Sequence, residues 1–88
     1  MTKINKIFKE SILDKLYTLL DSQRIGSDEI DYIEKTIREF ERLKIKDINS
    51  DILKVLAKDI EDLTAWSDRL GSSELFLIDE IILLTVLK

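Results

Sequence analysis

The side chains best suited to chemistry in this chain are carboxylates. Asp79 and Glu80 stand side by side, and Asp59, Glu61 and Asp62 crowd into one helical turn. Paired carboxylates can pass a proton between acid and base roles or share a divalent cation, provided that they converge on one point. Neighbours on a helix point about 100° apart, so Asp79 and Glu80 diverge. Asp59 with Asp62, and Glu61 with Asp62, lack a second cluster to complete a ligand set. The chain has no His and no Cys, which removes the commonest general base and the two commonest ligands of zinc. These residues predict no enzyme, no metal and no cofactor.

Composition narrows the classes further. Fourteen basic and 18 acidic residues give a formal charge of -4 and are mixed along the chain, unlike the basic footprint of a nucleic-acid binder. Residues 1–11 interleave Lys3, Lys6, Lys9 and Glu10 with apolar positions, so they lack the continuous apolar core of a signal peptide. The longest uncharged run, 81–87, is far shorter than the roughly 20 residues of a membrane span. The expectation is a cytosolic protein without membrane insertion. Eighty-eight residues fit a single domain, 1–88, with no visible repeat, low-complexity stretch or linker. A domain this small has a thin stability margin, which dimerisation would supplement.

What must position these side chains is helix throughout. There is no Pro, no strand-like alternation, and the two glycines, Gly26 and Gly71, fall where apolar periodicity breaks. Four segments emerge, at about 3–21, 28–45, 50–70 and 73–88. The first carries Ile4, Phe8, Ile12, Leu16, Leu19 and Leu20 on one side. The second has the narrow seam Ile30, Ile33, Ile37 and Phe40, with Ser27 or Asp28 as its N-cap. The third, capped by Asn49 or Ser50, carries Ile52, Val55, Leu56, Ile60, Leu63, Trp66 and Leu70. Gly71 is expected at its C′ stop, and Ser72 or Ser73 then caps the fourth helix. Short connections predict an all-α, antiparallel up-and-down four-helix bundle. The runner-up is a three-helix bundle with a projecting C-terminal helix.

The fourth helix is apolar nearly all round, with ten aliphatic or aromatic residues among the fifteen of 74–88. Projected at 100° per residue, Leu75, Leu77, Ile78, Ile81, Ile82, Leu84 and Val86 form a wide arc that a bundle core can cover. Phe76, Leu83 and Leu87 form a second stripe between Asp79 and Glu80. That stripe needs its own cover. It is either the deep interior of the bundle or an interface in which Phe76, Leu83 and Leu87 are anchors and Asp79 and Glu80 a polar rim. Trp66, at the edge of the third helix's apolar face, is a possible secondary contact with core-edge packing favoured, and Tyr17 and Tyr32 fall off their helices' main stripes.

Two basic features complete the inventory. Lys3, Lys6, Lys9 and Lys15 accompany the first helix and would suit an anionic membrane surface, but the apolar arc beside them is what a bundle requires. Lys35, Arg38, Arg42, Lys44 and Lys46 cluster near the second helix's end without an aromatic platform or phosphate loop. The sequence therefore predicts a non-enzymatic protein-protein interaction module, an inhibitor, immunity or adaptor protein binding a partner or a second copy of itself through its C-terminal helix. The alternative is a dimeric nucleic-acid-associated regulator of phage or plasmid type that touches DNA with those five basic residues.

Overall fold

The computed structural model describes residues 5–22 and 25–86. Lys3 and Ile4 at the expected start of the first helix, and Leu87 at the end of the expected stripe, lie outside them. Four helices follow one another: α1, Lys6–Leu20; α2, Ser27–Arg42; α3, Ser50–Trp66; and α4, Ser72–Val86, with a short 3-10 turn at Ile45–Asp47. Each helix packs on its neighbour in sequence, and α4 returns beside α1 to close an antiparallel four-helix bundle. The runner-up with a projecting fourth helix is set aside. α4 buries Ile78 and Ile81 completely. The radius of gyration, 12.5 Å, is near the value of about 12 Å for a compact chain of this length.

The four helix starts use two devices. Asn5 and Asn49 cap α1 and α3, accepting hydrogen bonds from the Phe8 and Ile52 amides at 2.9 and 3.0 Å. α2 and α4 begin instead at a glycine followed three residues later by a glutamate. The Glu29 carboxylate accepts from the Gly26 amide at 3.1 Å, and the Glu74 carboxylate from the Gly71 amide at 2.8 Å. This is the glutamate half of a capping box, in which the third helical residue reaches back to the cap amide. It corrects the expected serine caps, since Ser27 and Ser72 are the first helical residues. Both starts share a local signature, Gly-Ser-Asp-Glu at 26–29 and Gly-Ser-Ser-Glu at 71–74.

Two helices end earlier than their apolar periodicity suggests. α2 stops at Arg42 because Leu43 turns to extended backbone, and the Lys9 ammonium donates to the Glu41 and Leu43 carbonyls at 2.9 and 2.5 Å. A cation at the last carbonyls satisfies groups that the helix leaves open. Lys9 thereby joins α1 to the end of α2. α3 stops at Trp66, not 70. Ser67 is extended, at φ -94° and ψ 131°, and its hydroxyl donates to Glu29 at 2.9 Å. Gly71 is not a left-handed C′ residue, because no described glycine has positive φ.

The core is drawn from all four helices, with Ile12, Leu16, Leu19, Ile33, Leu53, Ile60, Leu63, Ile78 and Ile81 fully enclosed. Burial of each such side chain contributes about 1.5–3 kcal/mol. In α3 the core face includes Leu53, while among the expected members Val55 is 60% exposed, Trp66 is 46% exposed, Ile52 is half-buried and Leu70 lies beyond the helix. Ile25 and Ile48, in the connections, close the two ends of the core. Among the described residues, no buried side-chain nitrogen or oxygen lacks a hydrogen-bond partner.

Candidate functional site

α4 shows the largest departure from the expected arrangement. Ile78, Ile81, Thr85 and Glu74 point inward, while Leu77, Ile82 and Leu84 flank them in half-buried positions. Leu75 and Val86, expected inside the wide arc, are exposed at 42% and 71%. The correction has a simple cause: a bundle of four covers less than the full arc, and the edge of that arc nearest the solvent stays bare. Phe76 and Leu83 are exposed at 66% and 58%, so the deep-interior reading of their stripe is overturned. By helical angle Leu75 and Val86 lie on one side of Asp79, and Leu83 and Phe76 on the other. The result is an apolar face in two parts, Leu75 with Phe76 and Leu83 with Val86, with the exposed Asp79 carboxylate between them.

The two neighbouring acids have separate tasks. Asp79 faces solvent within that apolar face. Glu80 points toward α1, where the Lys15 ammonium meets its carboxylate at 2.6 Å, the side chains being 26% and 33% exposed. Glu80 is therefore a clasp between α1 and α4 and not a free rim residue. Lys15, like Lys9, is occupied within the bundle.

Trp66 sits on the side of α3 that faces α2. Its ring meets Tyr32 edge-on, with centroids 5.6 Å apart and planes at 69°. Tyr32 in turn donates its hydroxyl to the Asp59 carbonyl at 2.8 Å. Burial raises the Tyr32 phenol above its ordinary pKa, and the charges of Asp59, Asp62 and Glu39 raise it further. Tyr17 ties α1 to α2 by donating to the Glu41 carboxylate at 2.8 Å, the hydrogen bond that holds its own pKa up, together with desolvation and the Glu41 charge.

At the end of the bundle where α2 begins and α3 ends, Glu29 is enclosed at 5% exposure. Desolvation pushes its carboxyl up, but hydrogen bonds from its own amide, Ser67 and Gly26, with the Arg69 charge, outweigh it and leave the pKa lowered. This buried acid is absent from the sequence-based candidates. The capping-box spacing from Gly26 is the signal that could have found it.

Among the described residues, no three His, Cys, Asp or Glu side chains stand where they could hold a metal ion. Glu61 and Asp62 are exposed on α3. Burial pushes the Asp59 carboxyl above its ordinary pKa, with Glu39 and Asp62 adding to the shift and Lys35 and Lys58 opposing it. Lys35, Arg38 and Arg42 share the outer face of α2, but Asp31 falls among them by helical angle and all are exposed. Lys44 and Lys46 are exposed in the connection beyond. No described helix is long and apolar enough to cross a membrane.

Comparison with known proteins adds no relative. No family model, curated protein or solved structure matches this chain.

Proposed function

We propose that this chain is a non-enzymatic interaction module that works in the cytosol and binds a partner protein through the outer face of α4. The observation carrying this reading is the exposure of Leu75, Phe76, Leu83 and Val86 on one side of one helix. Scattered single apolar residues on a surface are ordinary, whereas four large ones on one side of one helix support a contact surface. Phe76 and Leu83 supply the bulk, and Asp79 supplies a polar mark that sets register or excludes wrong partners. An apolar helix of another protein would lie along such a face.

The test is the double substitution Phe76→Ser with Leu83→Ser. Sedimentation of wild type and variant measures self-association, and quantitative capture from host extract measures partner binding. Loss of assembly with unchanged helicity and melting temperature supports the interface. A variant that unfolds, or that binds everything the wild type binds, overturns it. Concentration-dependent sedimentation of the wild type by itself would name the second copy as the partner.

A further inference from the structure

α2 and α3 do not close on each other along their whole length. Between them opens a groove of about 230 Å³, lined by the buried Phe40 and Leu56, the half-buried Leu43 and Ile52 and the exposed Val55. Two local features keep it open. Thr36 lines it from α2 with a short side chain whose hydroxyl is turned back to donate to the Tyr32 carbonyl at 3.0 Å, and Asp59 stands opposite on α3 where a core helix would place an apolar residue. The connection between the helices, with its 3-10 turn at Ile45–Asp47, lies at the end of the groove that Leu43 and Ile52 line.

The rim of this groove is acidic. Glu39 from α2 and Asp59 from α3 line it together, and both also line the adjoining cleft with Tyr32 and Lys35. Lys35 and Lys58 moderate the local field, yet the carboxylates prevail: Glu39 and Asp62 add to the upward shift that burial imposes on Asp59. The volume is below the roughly 300–1,000 Å³ of pockets that enclose metabolites and drug-sized molecules. It suits the apolar anchor of a peptide better than a cofactor.

We infer that the α2–α3 groove is a second docking site, which takes an apolar side chain of a basic amphipathic helix while a Lys or Arg of that helix sits between Glu39 and Asp59. An apolar floor beneath an acidic rim is complementary to such a helix in both respects. The cation relieves the repulsion among Glu39, Asp59 and Asp62, and the anchor covers Val55. The groove lies between α2 and α3 and shares no lining residue with the α4 face, so either surface can be lost without the other.

A short synthetic helix of leucine and lysine serves as the probe, with a matched peptide carrying glutamate for lysine as control. Titration followed by heteronuclear NMR should shift Thr36, Glu39, Phe40, Val55 and Asp59, and the glutamate peptide should leave them unmoved. Val55→Asp should weaken binding by about tenfold or more, and Glu39→Lys by a similar factor, with less salt dependence than in wild type. Both positions are exposed, so helicity and melting should survive. Phe76→Ser with Leu83→Ser should leave the peptide's affinity intact, which separates this site from the α4 face. Shifts confined to α4, no shifts at all, equal binding of the glutamate peptide, or unaltered affinity in both Val55→Asp and Glu39→Lys would overturn the proposal.

Discussion

The carboxylate of Glu29 on α2 accepts the hydroxyl of Ser67, the residue that ends α3, at 2.9 Å, while its other oxygen accepts the Gly26 amide at 3.1 Å. One side chain thus starts one helix and stops another. Burial is tolerated because each oxygen has a donor and the Arg69 charge is near.

Glu29→Ala should therefore lower the melting temperature by several degrees, more than loss of an exposed glutamate such as Glu34. The pH dependence has a definite sign. The folded pKa of Glu29 lies below the unfolded value, so its stabilisation is present in full above the unfolded value and is lost as pH falls through the folded one. Thermal melts across the acid range should show wild type approaching Glu29→Ala as the pH drops. A constant gap between the two would disprove a role for the ionised carboxylate.

Asp59 should behave in the opposite way. Its folded pKa is raised, so the folded state favours the protonated form and the penalty of the ionised form is complete above the folded pKa. Asp59→Asn should raise stability at neutral pH by up to about 0.5 kcal/mol, the usual scale of a partly solvated charge change. That advantage should shrink as pH falls through the raised pKa. Denaturant unfolding at neutral and acid pH measures both halves of the prediction.

The Lys15–Glu80 pair links α1 to α4 across the bundle at 2.6 Å. Both side chains keep partial contact with water, so a double-mutant cycle with Lys15→Gln and Glu80→Gln should give a coupling of about 0.5–1 kcal/mol. High salt should reduce it. The parallel cycle with Asp79→Asn in place of Glu80→Gln should give none, because Asp79 points away from α1.

The two faces of α4 should separate cleanly under substitution. Ile81 is fully enclosed, and Ile81→Ala should destabilise by about 2–5 kcal/mol through lost burial and the cavity left behind. Phe76→Ser, at a residue 66% exposed, should stay within about 0.5 kcal/mol in the isolated chain. Urea unfolding curves measure both, and a large loss at Phe76 would place it in the core.

Particular residues show how far the sequence could be read. The seam of α2 at Ile33, Ile37 and Phe40 was legible because its other faces are so charged that only one orientation buries apolar surface. The α3 cap was legible from local chemistry as Asn49 or Ser50, and the structure assigns it to Asn49, whose side chain bonds an amide three residues away. The azimuth of α4 was not, because a helix that is apolar nearly all round has no preferred face of its own. Leu75 and Val86 could be assigned inward by angle alone, and only the positions of α1 and α3 left them outside.

The all-helical class, the four segments and the lack of His and Cys follow from the chain itself, because periodicity and side-chain inventory are local properties. Tertiary packing decided the rest. It divided Asp79 from Glu80 by giving only the second a lysine, buried Glu29 and Glu74 where each could hold a glycine amide, and left a groove where Thr36 faces Asp59. Each outcome depends on what a neighbouring helix brings within a few ångströms, and that distance is set by residues far away in sequence.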